Sequence, residues 1–176
     1  MKILDATAGF RGIWYQKNHP FVTFMDKRPE QVLESNHPIG KRRRFRIKPD
    51  IVSEWKDAPF PDNYFDMIIF DPPHILVKNE NAKLSSMKKE YGYLKYDSWK
   101  KELKAGIDKL FQILKPNGVF VFKWAETDIK VNDVLKLFPY QPLFGSNTRS
   151  KGKTSMFWIL FIKYDVNGKL DCKLKL

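Results

Sequence analysis

Short apolar runs alternate along this chain with longer segments whose apolar residues recur at helical spacing. The short runs predict strands, and the run at 64–70 has the near-continuous hydrophobicity of a strand that is buried on both faces. The longer segments predict helices, most clearly at 96–114, where five apolar side chains share one face. The predicted strands are 2–4, 21–25, 45–47, 64–70, 119–124, 140–144 and 156–162.

The order of these elements is strand-helix repeated, followed by two strands in succession. Further helices are predicted at 12–17, 29–36 and 129–138. This order favours an α/β, Rossmann-like fold with a doubly wound, mostly parallel sheet that is covered on both faces and ends in a C-terminal antiparallel hairpin. The length of 176 residues fits one domain over 1–176, with an insert at about 75–100.

A loop of small residues follows the first predicted strand and reads Asp-Ala-Thr-Ala-Gly-Phe-Arg-Gly at positions 5–12. Small side chains and two glycines allow a tight turn and a close approach of the backbone to a ligand. The spacing matches neither the dinucleotide fingerprint nor a phosphate-binding P-loop. The loop is typical of a nucleotide-like cofactor site, and an ordinary strand-to-helix turn is the alternative.

A carboxylate, Asp26, stands at the end of the second predicted strand, 21 residues after Asp5. In sheets of this kind, an acidic residue at this place and at about this spacing accepts hydrogen bonds from ribose hydroxyls. The alternative is a solvated loop aspartate that pairs with Lys27 or Arg28. The position at a strand end favours ribose binding.

The strongest chemical signal directly follows the fourth predicted strand, where the chain reads Asp71-Pro72-Pro73-His74. Two consecutive prolines fix the backbone φ angles and stiffen the strand exit. The Asp71 carboxylate and nearby carbonyls can then accept the hydrogens of a planar exocyclic amine, which helps its nitrogen to present a lone pair for methyl transfer. His74 adds a flat ring that can stack on a base, carry charge or move a proton.

With this motif the chain resembles class I methyltransferases that use S-adenosylmethionine (SAM). Within them it looks like the amino-methyltransferases of nucleic acids, whose motif is Asp/Asn-Pro-Pro followed by an aromatic residue, and especially like small bacterial and phage DNA N6-adenine-type enzymes. The segment 57–66 also matches the linker before strand four in many class I methyltransferases. The resemblance implies a Rossmann-like fold, SAM as the cofactor and a base amine as the acceptor, with adenine N6 in DNA as the default.

The resemblance also implies roles for individual residues, and the motif at 71–74 carries the expected catalytic residues. The acid that reads the adenine end of SAM should follow the third strand, where Asp50 and Asp57 both qualify and Asp50 is preferred. His74 stands where the family has Tyr, Phe or Trp, which leaves the target base open. The residues expected to bind SAM are Asp5, Ala6, Gly9, Phe10, Gly12, Asp26, Lys27, Asp50 and Asp57.

Charge points to a polyanionic partner, because 32 lysines and arginines stand against 20 acidic residues and give a net charge of +12. Six of the eight residues at 41–48 are basic, and the segment 75–104 interleaves eight lysines with four aromatic residues. Lysines neutralise phosphates and aromatic rings stack on unpaired bases, so we expect the insert to be a substrate lid, with a solvated helix start as the alternative. The residues expected to bind nucleic acid are Lys41, Arg42, Arg43, Arg44, Lys88, Lys89, Tyr91, Tyr93, Arg149 and Lys151.

Two other functions stay open on the sequence. One is methylation of rRNA, tRNA or a protein amide by the same motif, and the other is a catalytically inactive nucleic-acid-binding module on the same fold. Only the insert and the loops are available to read a target, so we expect weak sequence selectivity or recognition of RNA by shape. A duplex DNA target would require base flipping.

Composition argues against a disulfide-stabilised secreted protein and against a membrane protein. Cys172 is the lone cysteine, so this sequence forms no internal disulfide, and a reducing compartment fits. No apolar run approaches the ~20 residues of a membrane helix, and the first residues read as a strand rather than as a signal peptide. We expect a cytoplasmic enzyme whose chemistry needs no metal.

Overall fold

The computed structural model describes residues 1–36, 42–78, 86–148 and 154–164. A 3-10 turn spans Trp55–Asp57, and the three α-helices are α1 (Ser86–Tyr91), α2 (Trp99–Ile113) and α3 (Val131–Leu135). The strands are β1 (Ile3–Asp5), β2 (Val22–Asp26), β3 (Gln31–Asn36), β4 (Arg42–Ile47), β5 (Ile51–Val52), β6 (Phe65–Phe70), β7 (Leu76–Val77), β8 (Leu94–Lys95), β9 (Leu114–Ala125), β10 (Phe144–Thr148) and β11 (Met156–Ile162).

Seven strands form the central sheet in the order β10-β11-β9-β6-β1-β2-β5. The strands from β9 to β5 in this order are parallel, β11 runs antiparallel to β9, and β10 runs antiparallel to β11. The predicted doubly wound, mostly parallel sheet with a C-terminal antiparallel hairpin is confirmed. The chain builds outwards from β1 to β5 and then returns to the other side of β1, so the order reverses between β1 and β6. Sheets of this type bind ligands at such a switch point.

The main core lies on one face of this sheet and explains the predicted helix at 96–114. The apolar stripe of α2, including Leu103, Ile107 and Leu110, is fully buried against strand residues such as Phe70 and Phe120. Each such side chain contributes roughly 1.5–3 kcal/mol by leaving water. Because α2 connects β6 to β9, this packing fixes the two strands whose carboxyl ends carry the site.

Two predicted helices are wrong. The segment 12–17 forms turns, because Gly9 and Arg11 adopt left-handed φ angles of 51° and 57° and the Arg11 guanidinium then holds the carbonyls of Lys17 and Lys48. The segment 29–36 contains strand β3, which pairs antiparallel with β4 in a separate two-stranded sheet. The predicted third strand at 45–47 belongs to this hairpin, so β5 is the third parallel strand of the central sheet.

Other elements differ in extent. Strand β9 begins at Leu114 rather than at 119 and contains an irregularity at 116–118, where Asn117 has a φ of 61° and the register with β6 shifts. The last hairpin begins at Phe144 rather than at 140. Within the insert, β7 pairs parallel with β8, and Val77 and Leu94 are buried. None of the helices in the described part of the chain is long and apolar enough to cross a membrane.

Candidate functional site

The first loop and the 71–74 motif meet at the switch point of the sheet. Strands β1 and β6 are direct neighbours, so the residues that follow them emerge side by side. The Asp71 backbone N–H donates a hydrogen bond to Thr7 Oγ1 at 2.8 Å. Pro72 and Pro73 are buried, which fixes the course of the chain as it leaves the strand. The two segments are therefore held as one unit.

Two cavities open on this unit. Cavity A, of about 300 Å³, includes Ala6, Asp26, Lys27, Trp55 and Tyr93 in its lining. Cavity B, of about 510 Å³, lies on the other side, towards β9 and β11. Both volumes fall within or near the range of small-molecule sites. The residues of cavity B that matter here are Asp5, Gly9, Phe10, Gly12, Pro72, His74, Lys123 and Met156, and both cavities share Thr7, Arg28, Asp71, Pro73 and Tyr91.

Asp5 lies beneath the first loop with 1% of its surface exposed. Its carboxyl group accepts hydrogen bonds from Trp14 Nε1 at 2.7 Å and from the Thr7 backbone N–H at 3.1 Å. Burial nevertheless dominates and raises the pKa of Asp5 from 3.8 to about 7, with the charge of Asp71 adding to the rise. Asp5 therefore changes protonation state near neutral pH.

Replacing Asp5 with asparagine is expected to remove a pH dependence of stability. In the wild type, the unfolded carboxyl group ionises near 3.8, whereas the folded one keeps its proton up to about 7, so stability present at low pH is lost as pH rises through 7. Between about pH 5 and pH 8 this loss amounts to roughly 2–3 kcal/mol. Urea unfolding of both proteins across this range measures it, and parallel pH profiles for the two would contradict the expectation.

Asp26 is buried at the end of β2, and all of its contacts point into the site. One carboxylate oxygen accepts the Gly9 backbone N–H at 2.8 Å, and the Arg28 guanidinium binds both oxygens at 2.8 and 3.0 Å. Burial alone would raise the pKa of Asp26, but the hydrogen bonds and charge of Arg28 outweigh it and lower the pKa. Asp26 therefore lies at the strand end, as predicted, and also pairs with Arg28, which the sequence offered as the alternative. A ribose diol could bind Asp26 only after Arg28 releases a contact.

Asp71 and His74 both line cavity B. Asp71 Oδ2 forms an ion pair with Lys123 Nζ at 2.6 Å. The His74 ring is half-buried, and its centroid lies 6.2 Å from that of Trp124. Burial is the main cause that lowers the pKa of His74, so its imidazole is neutral at pH 7. His74 therefore offers cavity B a flat, uncharged ring.

The basic hairpin β3–β4 lies against the site through aromatic contacts. The Phe10 ring of the first loop packs on Phe45 of β4 at 4.8 Å and on Tyr91 of α1 at 5.9 Å between centroids. Strand alternation turns Phe45 inwards and leaves Arg44 and Arg46 exposed. The hairpin therefore packs on Phe10, and Phe10 and Tyr91 of the insert both line cavity B.

The structure leaves several predicted residues away from the two cavities. Asp50 precedes β5, and its carboxylate accepts the Phe24 backbone N–H at 2.8 Å, so it braces β2. Asp57 is exposed and pairs with Lys56. Neither lines cavity A or cavity B. Among the predicted nucleic-acid contacts, Arg42, Arg43 and Lys89 are described only as backbone, and the positions outside the described residues are Lys41, Arg149 and Lys151.

Three site residues escaped the sequence reasoning. Trp55 supplies an aromatic wall of cavity A just after β5, and its signal was an isolated tryptophan following the true third strand. Arg28 was considered only as a surface partner of Asp26, although it lines both cavities and also donates to the Glu90 carbonyl at 2.8 Å. Lys123 gave the one polar break in the apolar run 119–125, which is the signal that could have found it.

The chain matches no protein-family model and no curated protein. Solved structures that it resembles include the 1,6-didemethyltoxoflavin-N1-methyltransferase of Burkholderia thailandensis, at 12% identity and a TM-score of 0.51 over 93% of this chain and 71% of that one. They also include a SAM-dependent methyltransferase from Methanosarcina mazei (11% identity, TM-score 0.52, 93% and 92% coverage) and the N-methyltransferase NodS of Bradyrhizobium japonicum (13%, 0.51, 93% and 84%). At these identities the likeness establishes a Rossmann-like methyltransferase fold.

Proposed function

We propose that this protein is a SAM-dependent N-methyltransferase that acts on the exocyclic amine of a nucleic-acid base, with adenine N6 in DNA as the first target to test. The observation that carries the proposal is the place of the 71–74 motif, because Asp71 and Pro73 line both cavity A and cavity B. A group bound in either cavity therefore borders the same rigid strand exit. Such an arrangement brings two reactants together, which is the main requirement of a group transfer.

The residues around cavity A fit the nucleoside part of SAM. Asp26 offers a carboxylate at the strand end where ribose hydroxyls bind, and Trp55 offers a flat apolar wall for a purine. Thr7, which lines both cavities, would hold the amino-acid part along the first loop. The bound cofactor supplies an electrophilic methyl group. For a ribose to bind in this way, Arg28 must release one of its hydrogen bonds to Asp26.

The residues around cavity B fit a flat, uncharged acceptor. Phe10, Pro72 and Met156 give apolar walls, and the neutral His74 ring gives a stacking surface. The Asp71 carboxylate can accept an amine hydrogen, so that the nitrogen lone pair turns away from the acceptor's ring. A base that reaches this cavity from a duplex would have to leave the stack.

A nucleic-acid acceptor is supported by charge on the hairpin that packs against the first loop. Exposed Arg44 lies on this hairpin beside Phe45, which contacts Phe10, and exposed Arg46 pairs with Glu30. Exposed Tyr91 lines cavity B itself. This places cations for phosphates beside a ring for stacking, as in proteins that hold unpaired strands. The net charge of +12 acts in the same direction.

The test is a methyl-transfer screen. Purified protein is first titrated with SAM and S-adenosylhomocysteine by calorimetry and then incubated with methyl-labelled SAM and DNA, rRNA, tRNA or protein. Label in DNA, located at adenine N6 by nucleoside analysis, is the expected result. Label only in RNA or protein would redirect the proposal to those acceptors. SAM binding without transfer to any acceptor would favour a catalytically inactive nucleic-acid-binding module. Absence of SAM binding would refute the proposal that the protein is a SAM-dependent enzyme.

A second candidate acceptor is a small heterocycle. The likeness to the Burkholderia enzyme, which was solved with bound 1,6-didemethyltoxoflavin, favours it, and so does the apolar, ligand-sized cavity B. Free adenine and adenosine in the same screen separate the two candidates. Equal turnover of adenosine and of adenine-containing DNA would favour the small heterocycle.

Neutralising the hairpin is expected to weaken polymer binding and to flatten its salt dependence. The triple substitution of Arg42, Arg43 and Arg44 by alanine removes up to three phosphate contacts. On a single strand each contact contributes about 0.7, so the slope of log affinity against log salt should become shallower by up to about 2. Fluorescence anisotropy of a labelled single-stranded oligonucleotide at several salt concentrations measures the slope. The matched control replaces the exposed lysines Lys104, Lys130 and Lys136 and should keep the wild-type slope. Equal slopes for the two triple variants would remove the hairpin from the interface.

A further inference from the structure

The β9 residue Lys123 stands in a place that apolar residues otherwise occupy. It lies in the alternating row Val119, Val121, Lys123 and Ala125 on one face of β9. Its neighbour across the strand pair is Trp158, whose ring centroid lies 5.7 Å from Nζ. Side-chain exposure of Lys123 is 18%, so its ammonium group is largely removed from water. A lysine held this way needs a partner, and that partner is Asp71.

The pair occupies only one side of the Asp71 carboxylate. Lys123 Nζ binds Oδ2 at 2.6 Å, while Oδ1 accepts no hydrogen bond from any residue within the described ranges. Both side chains line cavity B. The free oxygen is therefore an acceptor whose charge is already balanced by the lysine.

Stability alone is a poor reason for this pair. The cost of desolvating two charges offsets much of their attraction, so partly buried ion pairs add little net stability. A second pair joins β6 to β9 near the start of both strands, where Lys115 Nζ contacts Asp66 Oδ1 at 2.7 Å. That pair is more exposed and lines neither cavity, so it provides a matched comparison.

We infer that Lys123 sets the acceptor specificity of cavity B: by balancing the charge of Asp71, it makes the cavity select a neutral N–H donor over an ammonium ion. An ammonium ion has no lone pair and cannot accept a methyl group, yet an uncompensated carboxylate in a poorly solvated cavity would attract it strongly. Of the other charged residues that line cavity B, Arg28 pairs with Asp26, Glu90 adds a carboxylate, and the Asp5 carboxyl group accepts a hydrogen bond from Trp14. This inference rests on the proposed function for the identity of the acceptor, but the property that it predicts is the binding preference of cavity B.

The test measures binding of two probes of similar size, neutral 9-methyladenine and the cation benzylammonium. Met156 lines cavity B and is one of only five methionines, so its labelled methyl group reports occupancy by NMR. The wild type should bind 9-methyladenine more tightly than benzylammonium. Lys123→Gln should tighten benzylammonium binding about tenfold or more and leave 9-methyladenine within about threefold. Lys123→Arg and the matched Lys115→Gln should keep the wild-type ratio.

Three outcomes would overturn the inference: a wild type that prefers benzylammonium, an unchanged ratio in Lys123→Gln, or no response of Met156 to 9-methyladenine. Thermal melting of each variant establishes that it is folded before titration. Parallel titration with S-adenosylhomocysteine separates this result from the proposed function. A protein that selects 9-methyladenine but binds no S-adenosylhomocysteine would keep the specificity of cavity B and lose the methyltransferase assignment.

Discussion

Replacing Asp71 with alanine is expected to lower the rate of methyl transfer by about 10³-fold and to leave the SAM dissociation constant within about threefold of the wild type. The substitution removes the acceptor at the wall between the two cavities and leaves Lys123 without its partner. An interaction that forms with the acceptor amine at the transition state affects turnover more than cofactor binding. Single-turnover rates and calorimetric titrations measure the two quantities separately.

Asp66 is the matched control, because it lies on β6, the strand that Asp71 directly follows, and also pairs with a lysine of β9. Asp66→Ala should lose only a small amount of stability and keep its transfer rate within about twofold. Asp71→Asn keeps an acceptor oxygen and should fall between the alanine variant and the wild type. Undiminished turnover by Asp71→Ala on the true acceptor would show that the motif is not the acceptor site.

Replacing Gly106 with alanine is expected to lower the free energy of unfolding by about 2 kcal/mol, although alanine favours helices by about 1 kcal/mol over glycine. Gly106 lies inside α2, and a Cβ atom there would overlap the Trp55 indole ring, with Nε1 only 2.6 Å away. Trp55 also packs on Phe70 with centroids 5.5 Å apart and is fixed from that side. Because Trp55 lines cavity A, SAM affinity should fall in parallel.

Urea unfolding and calorimetry measure these two effects. Ala105 is the exposed neighbour in the same helix, and Ala105→Gly gives the propensity baseline of about 1 kcal/mol. In a Trp55→Ala background the added methyl group at Gly106 has room, so its cost should vanish. A stabilised Gly106→Ala protein would mean that the indole ring does not limit the helix.

Local patterns predicted the parts of the fold that local physics determines. The apolar run at 64–70 and the helical stripe of α2 follow directly from residue spacing, and the double proline identified the strand exit at 71–74. The β3–β4 hairpin was missed because its pairing, such as Leu33 with Phe45, joins residues that look helical or polar one strand at a time. Pairing with another strand overrode the weak helical preference of 29–36.

The site contacts that the sequence does not predict depend on the register between distant strands. The Asp71–Lys123 pair joins residues 52 positions apart and depends on the alignment of β6 with β9. The sequence predicts 45–47 as the third strand and therefore favours Asp50 for the adenine end, whereas the third parallel strand is β5 and Trp55 follows it. The position of Asp26 at a strand end is visible in the sequence. The hydrogen bonds that Arg28 donates to both of its carboxylate oxygens are visible only in the structure.

The contact between Phe10 and Phe45 has a thermodynamic consequence. Phe10 belongs to the first loop and Phe45 to the basic hairpin, so any ligand that shifts one ring changes the environment of the other. If ligands at the loop and at the hairpin move these rings, the two binding events are linked by a coupling free energy, and that coupling is reciprocal. Whatever factor a bound cofactor applies to the affinity for a polymer, the polymer must apply to the affinity for the cofactor.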